Sequence, residues 1–338
     1  MSVLGSDVYV YGSANMQDNV QTSAGVQGGA IDKTKRVEFN DLVANDTVQV
    51  VSDLAQPDAT TNVAVQGRDV GGALVTDTID VNALAGTATA GVQTFERLVK
   101  VTVGGTRGTG TIAVERVTAI KTGTAQSGAA ATASAMANIQ LATAAIGTDG
   151  ELDGMIVRIT GGTGANQIRR IIKSTAATDL VEVSADWATV PDATSTYRVS
   201  EGFYLDGTSV TSGEPNLVSE VRRMFHNAEA DAAGGAARDF YEKIHFSNEH
   251  ATLTYQGVDI IEQANPSGNI NFGFEAAADD STTNPRTAPA SVTFDSLTKT
   301  FGNVVAGGEI GTWTHLNLPA GEPAANTSYT LRSNGSST

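Results

Sequence analysis

The chain has 338 residues, 37 of them acidic against 21 Lys and Arg, for a formal net charge of −16. Basic residues so few and so spread out do not form the clustered cationic surface that neutralises phosphates, so nucleic acid is not an expected partner. The absence of Cys removes disulfide frameworks and thiolate metal sites, and no apolar run reaches the roughly 18 residues of a membrane-spanning helix.

In chain order, residues 7–11, 36–39, 47–51, 62–66, 74–81, 97–103 and 111–117 each alternate or cluster Val, Thr and Ile, as half-buried strands do. Val70-Gly-Gly72, Gly86 and Gly104-Gly105 punctuate them. Short strands at spacings of about ten residues predict a β-sandwich over residues 1–119. Gly104-Gly-Thr-Arg-Gly-Thr-Gly110 lies between two Val-rich runs and reads as a hairpin loop, not a phosphate cradle. The start, Met1-Ser-Val-Leu-Gly-Ser-Asp-Val-Tyr-Val-Tyr11, lacks the basic segment and apolar core of a signal peptide.

Residues 120–200 predict a separate small β-meander or barrel, between the two sandwiches or inserted into the first. Residues 129–137 are Ala-rich, but Thr and Ser interleave and no amphipathic stripe appears, so a loop leading to a short strand at 138–141 is expected. Met155-Ile-Val-Arg-Ile-Thr160, Ile168-Arg-Arg-Ile-Ile172 and Leu180-Val-Glu-Val183 are three β-branched runs separated by Gly-rich or polar turns. The first turn, Gly161-Gly-Thr-Gly-Ala-Asn-Gln167, starts like a dinucleotide fingerprint, yet Gln167 replaces the last Gly and a β-branched run follows where a helix is needed. No cofactor is expected there. Tyr197-Arg-Val199 is placed to hand the chain back across a sheet.

From residue 201 to 338 a second, Ig-like sandwich is expected. Leu217-Val-Ser-Glu-Val-Arg-Arg-Met-Phe225 fits either period and is read as a strand, with residues 230–237 as a long hairpin loop and Phe240-Tyr-Glu-Lys-Ile-His-Phe246 as the return strand. Residues 252–255, 258–261, 270–274, 291–294, 312–318 and 328–332 complete the set, and Gly335-Ser-Ser-Thr338 reads as a frayed tail.

Catalytic and metal signatures are weak. His245 and His250 do not have zinc-pair spacing, His226 and His315 lack a neighbouring triad signature, and no D-x-D-x-D-G order offers a calcium loop. Neither catalytic, cofactor nor metal residues are therefore assigned, and the chain is read as non-enzymatic. Trp187 and Trp313 are expected to anchor cores more than to stack on sugars. Glu229, Asp231, Asp279 and Asp280 fall in polar loops and are the candidate interface residues, suited to a basic partner surface.

The Gly161–Gln167 turn, the Arg-containing strand after it and the ending Trp187-Ala-Thr-Val-Pro-Asp-Ala-Thr-Ser-Thr-Tyr197 together resemble a module found repeatedly in virion proteins of tailed bacteriophages. Gly67-Arg-Asp-Val-Gly-Gly-Ala-Leu-Val-Thr76 with Gln93-Thr-Phe-Glu-Arg-Leu-Val-Lys100 resembles the N-terminal part of phage virion proteins. Trp313-Thr-His-Leu-Asn-Leu-Pro-Ala-Gly321 followed by Tyr329-Thr-Leu-Arg332 resembles the closing strands of Ig-like domains in phage particles. The resemblance implies a structural component of a phage particle, of the head decoration or auxiliary type. It would be assembled in the host cytoplasm, reside in the virion, and bind the major capsid protein, other virion proteins and copies of itself. The alternative is a tail, neck or fibre protein with a host-receptor surface, including carbohydrate. Fibre repeats and coiled-coil heptads are not visible, which favours the first.

Overall fold

A computed structural model describes residues 7–16, 28–37, 42–55, 61–105, 110–126, 137–206, 218–225, 236–274, 292–321 and 329–337, with positions 3 and 289. Among these residues the secondary structure is strands and short 3-10 turns without α-helix, so the protein is all-β. The chain forms two compact units: Met1–Glu38 with Arg222–Thr338, and Phe39–Val221.

The first unit begins with the antiparallel pair β1 (Val8–Ser13) and β2 (Ile31–Arg36). The chain then builds the whole second unit before returning. That unit opens with β3 (Asp46–Ser52), β4 (Asn62–Arg68), β5 (Leu74–Asp80), β6 (Thr89–Phe95), β7 (Arg97–Gly104) and β8 (Ile112–Arg116). Next come β9 (Lys121–Thr124), β10 (Asn138–Gln140), β11 (Ile156–Gly161), β12 (Ile168–Thr175), β13 (Leu180–Val183) and β14 (Thr196–Ser200), then β15 (Gly202–Asp206) and β16 (Glu220–Arg222).

Two sheets of the second unit, ordered β16-β7-β4-β5 and β15-β8-β3-β6, share one core. Period-two alternation explains it: Val63 and Val65 of β4, Val48 and Val50 of β3, and Val101 and Val103 of β7 all point inward. Each such side chain, fully buried, contributes roughly 1.5–3 kcal/mol. At the β5–β6 corner the Asp77 carboxylate accepts the Val92 and Gln93 N–H at 2.6 and 2.9 Å.

Strands β8 and β15 are antiparallel neighbours, with Glu115 opposite Gly202, and everything from β9 to β14 is looped out between them. This inserted module is one sheet, ordered β10-β13-β12-β11-β14-β9. Its two ends meet beyond β9, where Gln126 N donates to Gln140 O at 3.0 Å and Gln126 Nε2 to Leu141 O at 2.6 Å. Ile139, Leu141, Leu152, Val157, Ile159, Ile171, Val181, Trp187, Tyr197 and Val199 fill the interior.

On returning to the first unit the chain forms β17 (Arg238–Asn248), β18 (Tyr255–Ala264), β19 (Ile270–Phe274), β20 (Lys299–Val304), β21 (Glu309–Leu318) and β22 (Thr330–Ser337). Sheets ordered β19-β21-β17-β1-β2 and β20-β18-β22 enclose Ile244, Phe246, Val258, Ile260, Phe272, Val304 and Ile310.

Several sequence expectations change. Strand β2 lies at Ile31–Arg36, where the Asp-Lys-Thr-Lys run carries no apolar signal; of the strand expected at 36–39, residues 38 and 39 lie outside the described residues. The Gly104–Gly110 segment is no hairpin loop: β7 and β8 belong to different sheets, each pairing with earlier strands. Nor do residues 217–225 and 240–246 pair with each other, since β17 lies between β1 and β21, while Val218 and Val221 enter the core of the second unit. Strands β6, β9, β15 and β20 lie outside the expected runs, and residues 292–294 form no strand; Asp295 alone bridges to Phe272. The expected frayed tail is the end of β22 through Ser337. Finally, the divisions at 119/120 and 200/201 follow runs along the chain, whereas β1 pairs with β17 and thereby joins the two ends of the chain in one unit.

Candidate functional site

The four acidic interface candidates, Glu229, Asp231, Asp279 and Asp280, lie outside the described residues, as does His226. The fold gathers polar and aromatic side chains into four other constellations.

The first is the glycine turn and the Trp-to-Tyr segment, which the fold brings together as one hydrogen-bonded edifice. Gly162, Gly164 and Asn166 all have φ of 75°. A Cβ on Gly162 would sit 2.0 Å from the Thr194 carbonyl oxygen, so only glycine fits there. Gln167 then staples the turn to the other segment: Nε2 donates to Gly164 O at 3.0 Å and Thr189 O at 2.7 Å, while Oε1 accepts from Ala188 N at 2.7 Å and Thr189 N at 3.2 Å. Ser195 Oγ donates to Thr163 O at 2.6 Å, and Asp192 accepts from the Thr194 hydroxyl and N–H at 2.6 and 2.8 Å, bonds that hold its carboxyl below the ordinary range. Trp187 is fully buried; its Nε1 donates to Asn138 O at 3.0 Å and the Arg169 guanidinium lies 5.3 Å from its ring centre. The Gly161–Gln167 turn presents its backbone to its own neighbours.

The second is a buried charged seam where the module meets the strands that carry it. Glu115 on β8 is fully buried, and its Oε1 lies 2.6 Å from Gln49 Nε2, 3.2 Å from Arg158 Nη2 and 3.4 Å from Arg198 Nε. Arg158 belongs to β11 and Arg198 to β14, so both module strands reach one carboxylate of the carrier. Arg198 also donates to the Arg116 and Val117 carbonyls, and burial lowers its pKa. Next to it Arg116 bridges Asp46 at 2.7 Å and Glu201 at 3.3 Å. Sequence reasoning missed this seam. Its signal was a charge inside each of two apolar runs, Ile112-Ala-Val-Glu-Arg116 and Met155-Ile-Val-Arg158.

The third lies on β17, buried on both faces. Phe240, Ile244 and Phe246 point to the apolar clusters. Tyr241, Lys243 and His245 lie on the opposite face beside His315, Trp313 and Gly311 of β21. Trp313 is thus buried as expected, but in this polar-aromatic layer. Ser13 Oγ, His245 Nε2 and, beyond its Nδ1, Glu309 Oε1 follow one another at 3.4 and 3.8 Å in the order of a hydrolytic triad. The hydrogen bonds run otherwise. Ser13 donates its proton to Lys243 O at 2.6 Å, and His245 Nε2 faces the Gly29 carbonyl at 3.2 Å, so the ring nitrogen that would take the serine proton holds one of its own. The trio ties β1, β17 and β21 together. Burial pushes the Glu309 carboxyl up against the opposing pull of Lys33 and Lys243. His250 serves elsewhere, its Nδ1 accepting the Thr252 and Leu253 N–H at 3.1 and 3.0 Å in a turn.

The fourth is partly exposed, at the other end of the same strands. Asp239 Oδ1 accepts from His315 Nε2 at 2.9 Å and Asn317 Nδ2 at 2.7 Å. Burial works to raise the Asp239 pKa, yet these two donors outweigh it and the carboxyl sits below its ordinary value. Tyr241 stacks on the His315 ring at 4.6 Å, and Phe294 tilts against both at 5.3 Å. The result is a fixed carboxylate beside an aromatic cluster.

Among the described residues no three His, Cys, Asp or Glu side chains converge as a metal site, and no helix is long and apolar enough to cross a membrane. The chain matches no known family model, no curated protein and no solved structure.

Proposed function

We propose that this chain is a non-enzymatic structural component of a tailed-phage particle, of the head decoration or auxiliary type, acting through protein–protein interfaces and residing in the virion. The observation that supports this reading is the use made of the segment that resembles phage virion modules. Gly162, Gln167, Trp187, Asp192 and Ser195 are all spent on joining two loops and filling one core, which is the work of a rigid display module and not of a reaction centre. The charged seam at Glu115 supports it further, because it fixes the module on its carrier. The partners in this reading are the major capsid protein and further copies of the chain. The acidic loops at Glu229, Asp231, Asp279 and Asp280 would meet basic capsid surface, so attachment should weaken with salt.

Rebinding of the purified chain to particles stripped of it, followed by cryo-electron microscopy, tests the proposal. Regular density across the head lattice is the expected result; density confined to neck or tail, or no density, would overturn it. The second reading, a tail or fibre protein with a carbohydrate-binding surface, is favoured by the Asp239, His315, Asn317, Tyr241 and Phe294 patch, where a preorganised acceptor lies beside aromatic rings. Binding of the chain to host cells, abolished by Asp239→Ala, would promote it.

A further inference from the structure

A sheet edge carries unpaired N–H and C=O groups, and folded proteins blunt such edges to prevent pairing with other chains. Most edges here are blunted. Asp77 takes two N–H groups of β6, β10 and β9 are only three and four residues long, and Asp295 closes part of β19 through two bonds of 3.2 Å with Phe272. Strand β20 is broken in register on both sides of the Val258–Gly302 pair, with Gly302 at φ 89°.

Strand β22 differs. Its eight residues pair with β18 on one side, and among the described residues no strand lies on the other. Both irregularities in that pairing put the extra residues in β18, so β22 itself runs unbroken. Thr330-Leu-Arg-Ser-Asn-Gly-Ser-Ser337 contains no Pro, Lys, Asp or Glu, the residues that usually guard an edge. Arg332, Asn334, Gly335 and Ser336 are exposed.

We propose that β22 pairs antiparallel with β22 of a second copy across a two-fold axis, extending β20-β18-β22 into a six-stranded sheet that runs through both molecules. This deepens the self-association in the reading above and rests on it. An antiparallel edge is its own complement under a two-fold axis, because each strand offers the other the same alternating donors and acceptors. Charge agrees. In a chain of net charge −16 the sole charge on β22 is Arg332, and Asn334 lies in register with Asp259 of β18. With the axis at Ser333, Arg332 faces the second copy's Asn334 and, one strand further, its Asp259, so each cation meets the other copy's carboxylate.

The test is analytical ultracentrifugation of the full chain over a range of concentrations, with residue-resolved amide exchange. The expected result is a dimer in which consecutive amides from 331 to 336 are protected, and its conversion to monomer by Asn334→Lys, which sets a cation beside the axis while leaving the circular dichroism spectrum and thermal unfolding of the monomer unchanged. A chain that is monomeric throughout, with every second β22 amide exchanging freely, would overturn the proposal. So would a dimer that survives Asn334→Lys. Both readouts use free protein, so failure of this pairing is distinguishable from failure of particle binding.

Discussion

The inserted module and the first unit bury different things. Inside the module, Ile139, Val157, Ile171, Trp187 and Val199 form an apolar interior closed by strands that follow one another within 121–200. In the first unit, β17 takes Glu242, Lys243 and His245 out of solvent on a strand whose partner β1 comes from the far end of the chain. A local meander can rely on apolar burial and tight turns, since loop-closure costs stay small. A sheet assembled from distant segments gains selectivity from buried polar pairs, whose wrong pairing leaves a charge uncompensated.

Substitutions can break that contrast, and the largest effect is expected in the module. Trp187→Ala should cost about 3–5 kcal/mol through the cavity it leaves and the lost bond to Asn138, read by denaturant unfolding. A loss below about 1 kcal/mol would mean that the module is not closed around Trp187. In the first unit Glu242→Ala removes the carboxylate that faces Arg222 at 3.8 Å and accepts the Phe225 N–H at 2.9 Å, with an expected loss of roughly 3 kcal/mol in the same assay. Replacing Glu242 and Arg222 together by apolar residues should recover part of it, the mark of a pair kept for selectivity.

Gly162→Ala should destabilise by more than about 1 kcal/mol, because φ is positive and the added methyl meets the Thr194 carbonyl; Gly72→Ala, with the same sign of φ but open space around it, should cost less. The smallest effects are in pH. The Asp239 carboxyl is depressed in the fold, so its stabilising contribution is present above the ordinary value of 3.8 and is lost as pH falls through the lower folded value. Glu309 is shifted the other way; the fold favours its protonated form, so stability declines as pH rises from 4.5 through the raised value. Melting temperatures measured from pH 2 to 7 for Asp239→Asn and Glu309→Gln should therefore diverge in opposite directions from the parent, each by an amount reduced by solvent screening.

The same contrast governs what the sequence disclosed. All-β architecture, the run of β11, β12 and β13, the short β10 and the buried Trp187 were legible because period-two runs and glycine turns are local signals. The pairing of β1 with β17 and the separation of β7 from β8 were not, because partner choice depends on residues far apart in sequence. Ile31-Asp-Lys-Thr-Lys-Arg36 was passed over for a related reason: a strand whose side chains are mostly polar carries no hydrophobic period. The Asp239 and Glu115 constellations each gather side chains from several strands, so their members look like isolated charges until the sheets are formed.

Because β8 and β15 are hydrogen-bonded neighbours, the module enters and leaves its carrier through two adjacent strand ends, with Glu115 facing Gly202. A segment connected this way is an exchangeable cassette. Replacing it by a tight turn, or by another domain whose termini lie about 5 Å apart, keeps the β8–β15 ladder but strips Glu115 of Arg158 and Arg198, so the exchange calls for an apolar residue at 115 as well. The main core of the carrier, built around Val48, Val63 and Val101, contains no residue of the module and is untouched by such an exchange.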